Sequence, residues 1–131
     1  MKTLLFVFLL FGALIGNTQD TVRFNDGSPI GLYFDTYITE SGDTIDVGNT
    51  VRFGYPTNGH KYVFVMQGSD YCGTVLTNCF TTIESIRTGG YNEHPIVFAF
   101  IKGWGLIPIS IDIEAAIHTG EAFFEINATH P

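Results

Sequence analysis

The chain is poor in positive charge. Six lysines and arginines face 13 aspartates and glutamates across 131 residues, a formal net charge of −7. That deficit opposes nucleic-acid binding, which relies on Lys and Arg to neutralise phosphates. It also disfavours anionic membrane surfaces. Cysteine is scarce, with two residues, and tryptophan scarcer, with one, so neither a multi-disulfide scaffold nor a cysteine-rich zinc site is on offer. Long apolar runs are missing apart from one at the very start, and no later stretch is long enough to span a bilayer.

What is present begins with that run. Met1-Lys2 leads into Leu4 to Ile15, and Gly16-Asn17-Thr18-Gln19-Asp20 follows. A lone positive charge, about a dozen apolar residues and a small, polar exit are the parts of a secretory signal peptide. The expected organisation is a signal peptide over 1–18 and a single domain over 19–131, with a secreted or periplasmic location. Loss of Lys2 with the leader leaves five basic residues against 13 acidic ones. Such an acidic exported protein could hold calcium or basic partners, but the charge equally serves solubility.

An exported chain meets oxidising conditions, so Cys72 and Cys79 are expected to form a disulfide closing a short loop. Loop-closure entropy gives such a bridge about 2–2.5 kcal/mol. The C-x₆-C spacing is not the tight C-x-x-C of redox or metal pairs.

Turn signals divide the rest into short β-rich pieces. Asp26-Gly27 is a turn, and Ile30, Leu32, Phe34 and Ile38 alternate with Tyr33, Asp35 and Tyr37 as a strand with one wetter face. Ser41-Gly42-Asp43 turns the chain again. Val51, Phe53 and Tyr55 alternate before Pro56-Thr57-Asn58-Gly59, and Lys61 to Gln67 follows, so Asn58-Gly59 is the best hairpin signal in the chain. Tyr62 to Met66 and Ile96 to Ile101 are apolar on both faces, as interior strands are. Phe80 to Arg87 alternates weakly, and Gly89-Gly90 reads as a break.

Helical spacing occurs once. Ile113, Ala116 and Ile117 fall at i, i+3 and i+4, Asp112 is a suitable N-cap and Gly120 sits where a helix would end. A last strand is expected over Ala122 to Ile126. Two strands apolar on both faces need cover on both sides, so the expected fold is mainly β: a small antiparallel barrel or two-sheet sandwich with one short helix near the C-terminus.

Catalytic spacings are missing. No serine has a G-x-S-x-G setting, and no glycine cluster forms a phosphate-cradling loop. His60, His94, His118 and His130 are scattered without H-x-H or H-x-x-E-H spacing, so no metal is expected. His118 falls in the last turn of the helix, where an imidazole suits the dipole. No cofactor is expected either. Asp35, Asp43 and Asp46 lie close in sequence and could approach one another in a strand-turn-strand unit, and paired carboxylates do general acid/base work or bind calcium. Surface turns explain them more simply. For ligand binding the aromatics stand out: Trp104, held between Gly103 and Gly105, could join Tyr33, Tyr37 and Tyr91, with Tyr55, as a stacking surface for a sugar or an apolar partner. The alternative for Trp104 is a core position. Asn127-Ala128-Thr129 fits a glycosylation acceptor, relevant only in a eukaryotic host.

Two stretches resemble a known group: Phe34 to Thr39 continuing through Gly42 to Val51, and Gly105 to Glu114 with Gly120-Glu121. They are similar to small exported proteins of unknown function from Bacteroides-like bacteria. The resemblance implies a periplasmic or secreted bacterial setting and carries over no active-site residue. The functional expectation is therefore a non-catalytic binding or envelope-associated module with a protein or glycan partner. The rivals are a small secreted hydrolase using Asp35 with Asp43 or Asp46, and a secreted inhibitor.

Overall fold

The computed structural model describes residues 21–91, 94–103 and 107–127, with only the backbone of Tyr91 and His94. Residues 1–20, where the signal peptide is expected, Trp104 and the end of the Asn127 triplet lie outside the described residues. Among those described, no helix is long and apolar enough to cross a membrane.

The fold is mainly β, a curled half-barrel sheet with a smaller sheet beside it and one helix near the C-terminus. In chain order the strands are β1 (Thr21–Arg23), β2 (Tyr33–Phe34), β3 (Thr36–Ile38), β4 (Thr44–Asp46), β5 (Thr50–Phe53), β6 (Lys61–Gln67), β7 (Asp70–Gly73), β8 (Phe80–Tyr91), β9 (His94–Ile101), β10 (Ile109–Asp112) and β11 (Ala122–Phe124). A 3₁₀ turn, Thr74–Leu76, follows β7, and helix α1 (Ile113–Thr119) runs from β10 towards β11. The large sheet has the order β11-β5-β8-β9-β10-β6-β7, with β2 added against β8; the small one is β1-β3-β4.

The interior strands sit where apolar composition placed them. β9 lies between β8 and β10, and β6 between β10 and β7. Their inward residues Tyr62, Val65, Ala99 and Ile101 are buried with Ile83, Ile86, Ile109 and Ile111 in one core. Neither strand is buried evenly on both faces, however. Val63 is exposed, and Phe98 and Phe100 are half-buried on the outer side. Arg87 covers part of that face, its guanidinium 4.8 Å from the centre of the Phe100 ring and 5.7 Å from that of Tyr33.

The helix forms as its sequence requires. The Asp112 carboxylate accepts the Ala115 N–H at 3.3 Å, and Gly120 closes the helix at φ 76° in the left-handed region.

Four expectations need correction. The first is the Asn58-Gly59 hairpin. The turn is there, with the Asn58 side-chain oxygen accepting the His60 and Lys61 N–H groups, yet β5 and β6 do not pair: β5 lies between β8 and β11, β6 between β10 and β7. The space between them is taken by Glu121. Its buried carboxylate accepts N–H groups from Thr57, Val63 and Phe64 at 2.7–3.1 Å, and its carbonyl accepts that of Gly54. One side chain thus satisfies donors that a neighbouring strand would otherwise take.

The second correction concerns Gly89-Gly90. These residues do not break the strand but continue β8, pairing with Ile96 and Pro95 of β9. A Cβ on Gly89 would stand 2.9 Å from the Phe98 ring, so the glycine makes room for an aromatic across the ladder. Third, the sheets are not wholly antiparallel, because β1 pairs with β3 in parallel.

The fourth is the disulfide. Cys72 and Cys79 are free thiols. Cys72 is buried on β7, whereas Cys79, past the 3₁₀ turn, is exposed with its Sγ 3.4 Å from the Val75 carbonyl oxygen. The turn separates the inward face that takes Cys72 from the surface that takes Cys79. Burial pushes the Cys72 thiol pKa up, which favours the protonated, unreactive form.

Candidate functional site

A cavity of about 380 Å³ lies where the β3–β4 turn, α1 and β11 meet. Its apolar floor comes from Ile45, Ile117, Ala122, Phe123, Phe124 and Ile126, and its polar rim includes Thr39, Glu40, Ser41, Asp43, Glu114 and His118. The geometry follows from local sequence. Gly42, at φ 92°, lets the chain reverse within a few residues. The Thr39 hydroxyl accepts the Asp43 N–H at 3.0 Å, and the Ser41 hydroxyl bonds to Asp43 at 3.1 Å. That tight turn holds Glu40 towards the helix. On α1, Glu114 and His118 are one turn apart and face the same way.

Three of these side chains converge. The His118 Nε2 atom stands 3.6 Å from a carboxylate oxygen of Glu40 and 3.6 Å from one of Glu114. One ligating atom from each of the three lies within 4.8 Å of the others. Glu40 and His118 are exposed, while Glu114 is only 17 % exposed and is fixed from behind. Its Oε1 atom accepts the Tyr37 hydroxyl at 2.6 Å and the Glu40 N–H at 2.7 Å. Burial, reinforced by the Glu114 carboxylate, pushes the Tyr37 phenol well above its ordinary pKa, so it remains a donor at any physiological pH.

The residues singled out from sequence fall in different places. Tyr37 is buried at 1 % exposure and supports Glu114 from the core, which removes it from any surface platform. Its inward turn reflects a change of sheet at Asp35: β2 belongs to the large sheet and β3 to the small one, so the alternation expected over residues 30–38 breaks there. Tyr33 is 60 % exposed but carries Arg87 over its ring and does not line the cavity. Tyr55 is exposed, also outside it. Tyr91 ends β8, and its side chain, like Trp104, lies outside the described residues.

The aspartates are not gathered into one centre. Asp46 accepts from the Thr36 hydroxyl and the Asn127 amide, tying β3 and the C-terminal segment to β4. Asp43 belongs to the cavity rim, which includes neither Asp35 nor Asp46. His118 does occupy the last helical turn, as expected, but with two carboxylates as neighbours. The pair Glu114 and His118, four residues apart on a helix, was the available sequence signal for this site. Glu40 had none, being 74 residues from Glu114.

Burial of a small apolar group and hydrogen bonding or ion coordination at its end are what this arrangement can do. No protein family, curated protein or solved structure matches the chain.

Proposed function

We propose that the protein is an exported, non-catalytic binding module, and that its site is the cavity between the β3–β4 turn, α1 and β11. The ligand class is a small molecule with an apolar body and a polar end. One observation carries this reading: a cavity of about 380 Å³ joins a floor of Ile, Phe and Ala side chains to a rim bearing Glu40, Glu114 and His118. Small-molecule sites have this composition, mostly apolar walls with a few placed polar groups, and volumes of about 300–1,000 Å³. A small ligand is favoured over a glycan because Tyr33, the exposed aromatic among the sequence candidates in strand β2, already packs with Arg87. Export rests on the N-terminal segment and on the resemblance to exported bacterial proteins, and an envelope role follows from the same features.

Titration with an uncharged, environment-sensitive apolar dye tests the site. Saturable binding is expected, weakened about tenfold, or 1.4 kcal/mol, by Ile117→Glu and by Ile126→Glu. Both positions are partly exposed, at 38 % and 51 %, so the substitutions do not place a charge in the core. Absence of saturable binding, or affinity unchanged in both variants, would refute the cavity as the site.

A further inference from the structure

We propose that Glu40, Glu114 and His118 bind a divalent transition-metal ion of the zinc class at the mouth of the cavity. This deepens the binding reading, since the same cavity supplies the open side of the metal site, and metal uptake and apolar-ligand uptake are measured separately.

The ligand set and its spacing point to such an ion. Zinc binds imidazole nitrogen and carboxylate oxygen at about 2.0–2.2 Å, so ligand atoms of a tetrahedral centre stand about 3.3–3.6 Å apart. Two of the three edges here, from His118 to Glu40 and to Glu114, are 3.6 Å. One ligand atom from each of the three lies within 4.8 Å of the others, and Glu40, with 56 % of its side chain exposed, has room to move towards an ion. Two carboxylates offset the charge of a divalent cation. Calcium takes six to eight oxygens and magnesium favours water and carboxylate, so the imidazole selects against both.

The support behind Glu114 is the second feature of a metal site. Metal-binding side chains are held by outer hydrogen bonds that fix which atom faces the ion. Tyr37 and the Glu40 N–H both donate to Glu114 Oε1, and Oε2 is the atom that approaches His118. Tyr37 is buried within the core, so Glu114 is oriented by the fold itself. Three protein ligands with a further position open to a cavity is the arrangement of zinc sites that accept an external ligand. All three residues line the same cavity as the apolar floor, so the polar end of a molecule bound there would supply the fourth donor. A protonated imidazole between two carboxylates would gather the same three side chains without any ion, and the experiment separates these accounts.

Purified protein is titrated with Zn²⁺ alone by calorimetry and with Co²⁺ alone by visible absorption. One equivalent of zinc is expected, and the cobalt form should show ligand-field bands without a thiolate charge-transfer band. His118→Ala and Glu40→Gln, both at exposed positions, should abolish saturable uptake while leaving the circular dichroism spectrum unchanged. Tyr37→Phe, which preserves the core volume, should weaken binding about 10–100-fold. Cys79→Ser should have no effect. The site is refuted if no stoichiometric uptake occurs, if His118→Ala and Glu40→Gln bind as well as the parent, or if Cys79→Ser removes binding. Dye binding without metal uptake would sink the metal site and leave the apolar cavity standing; metal uptake without dye binding would do the reverse.

Discussion

Glu121 shows how one residue can settle a local arrangement against its sequence context. It is completely buried, yet its pKa is lowered. Burial alone would raise it, but hydrogen bonds from Thr57, Val63 and Phe64 outweigh that effect. A carboxyl group whose folded pKa lies below its ordinary 4.5 contributes stability above that value and loses it as pH falls through the folded pKa. Urea midpoints are therefore expected to hold near neutrality and to drop below about pH 4.5. Glu121→Gln should cost about 2–3 kcal/mol at pH 7, because hydrogen bonds to a charged acceptor are lost, and should flatten that acid limb. An unchanged limb in the variant would remove Glu121 from this role. The cysteines give a second residue-scale outcome. Thiol titration of native protein should modify Cys79 quickly and Cys72 only on unfolding, and thermal midpoints should be equal with and without reductant. The expected bridge is not formed: the thiols are free, with Cys72 buried and Cys79, beyond the 3₁₀ turn over Thr74–Leu76, exposed, a difference in burial that spacing does not encode.

Among the elements, α1 was the most legible. Its cap, apolar spacing and terminal glycine are all local and all present in the fold. The approach of Gly54 to the end of this helix is not local at all. A Cβ on Gly54 would stand 2.0 Å from the Gly120 carbonyl oxygen and 2.9 Å from the Phe123 ring. Gly54→Ala should accordingly displace β11 from β5 and destabilise the protein by more than Gly120→Ala, whose left-handed backbone costs about 1–2 kcal/mol for a side chain. Equal chemical-denaturation midpoints for the two variants would contradict this order. The Asn58-Gly59 turn teaches the complementary lesson. Turn chemistry fixes a reversal of direction, but pairing depends on what stands beside each strand, and here that is a carboxylate.

At the scale of the molecule, the half-barrel is closed by contacts distant in sequence: β11 on β5, β2 on β8, and Glu121 on β6. Native-state hydrogen exchange should be slowest in β8, β9 and β10, which have partners on both sides, and fastest in β1 and β7, which lie at sheet edges. Uniform protection across both sheets would contradict this gradient. The candidate site belongs to the same scale, since it combines a turn, a helix and the last strand. Half of the rim cluster was readable as Glu114 and His118 on one helix face. The other half, Glu40 and the support from Tyr37, arises only when the small sheet docks against α1.

Local chemistry thus determined the strand-rich class, the interior strands, the turns at Gly42 and Gly59, and the capped helix, because each depends on residues a few positions apart. Only the tertiary structure decided that β5 and β6 stay unpaired, that Tyr37 turns inward, that the thiols remain apart and that Glu40 meets Glu114 and His118. Those outcomes depend on which surfaces meet across dozens of residues, and a pattern of period two carries no record of its partner.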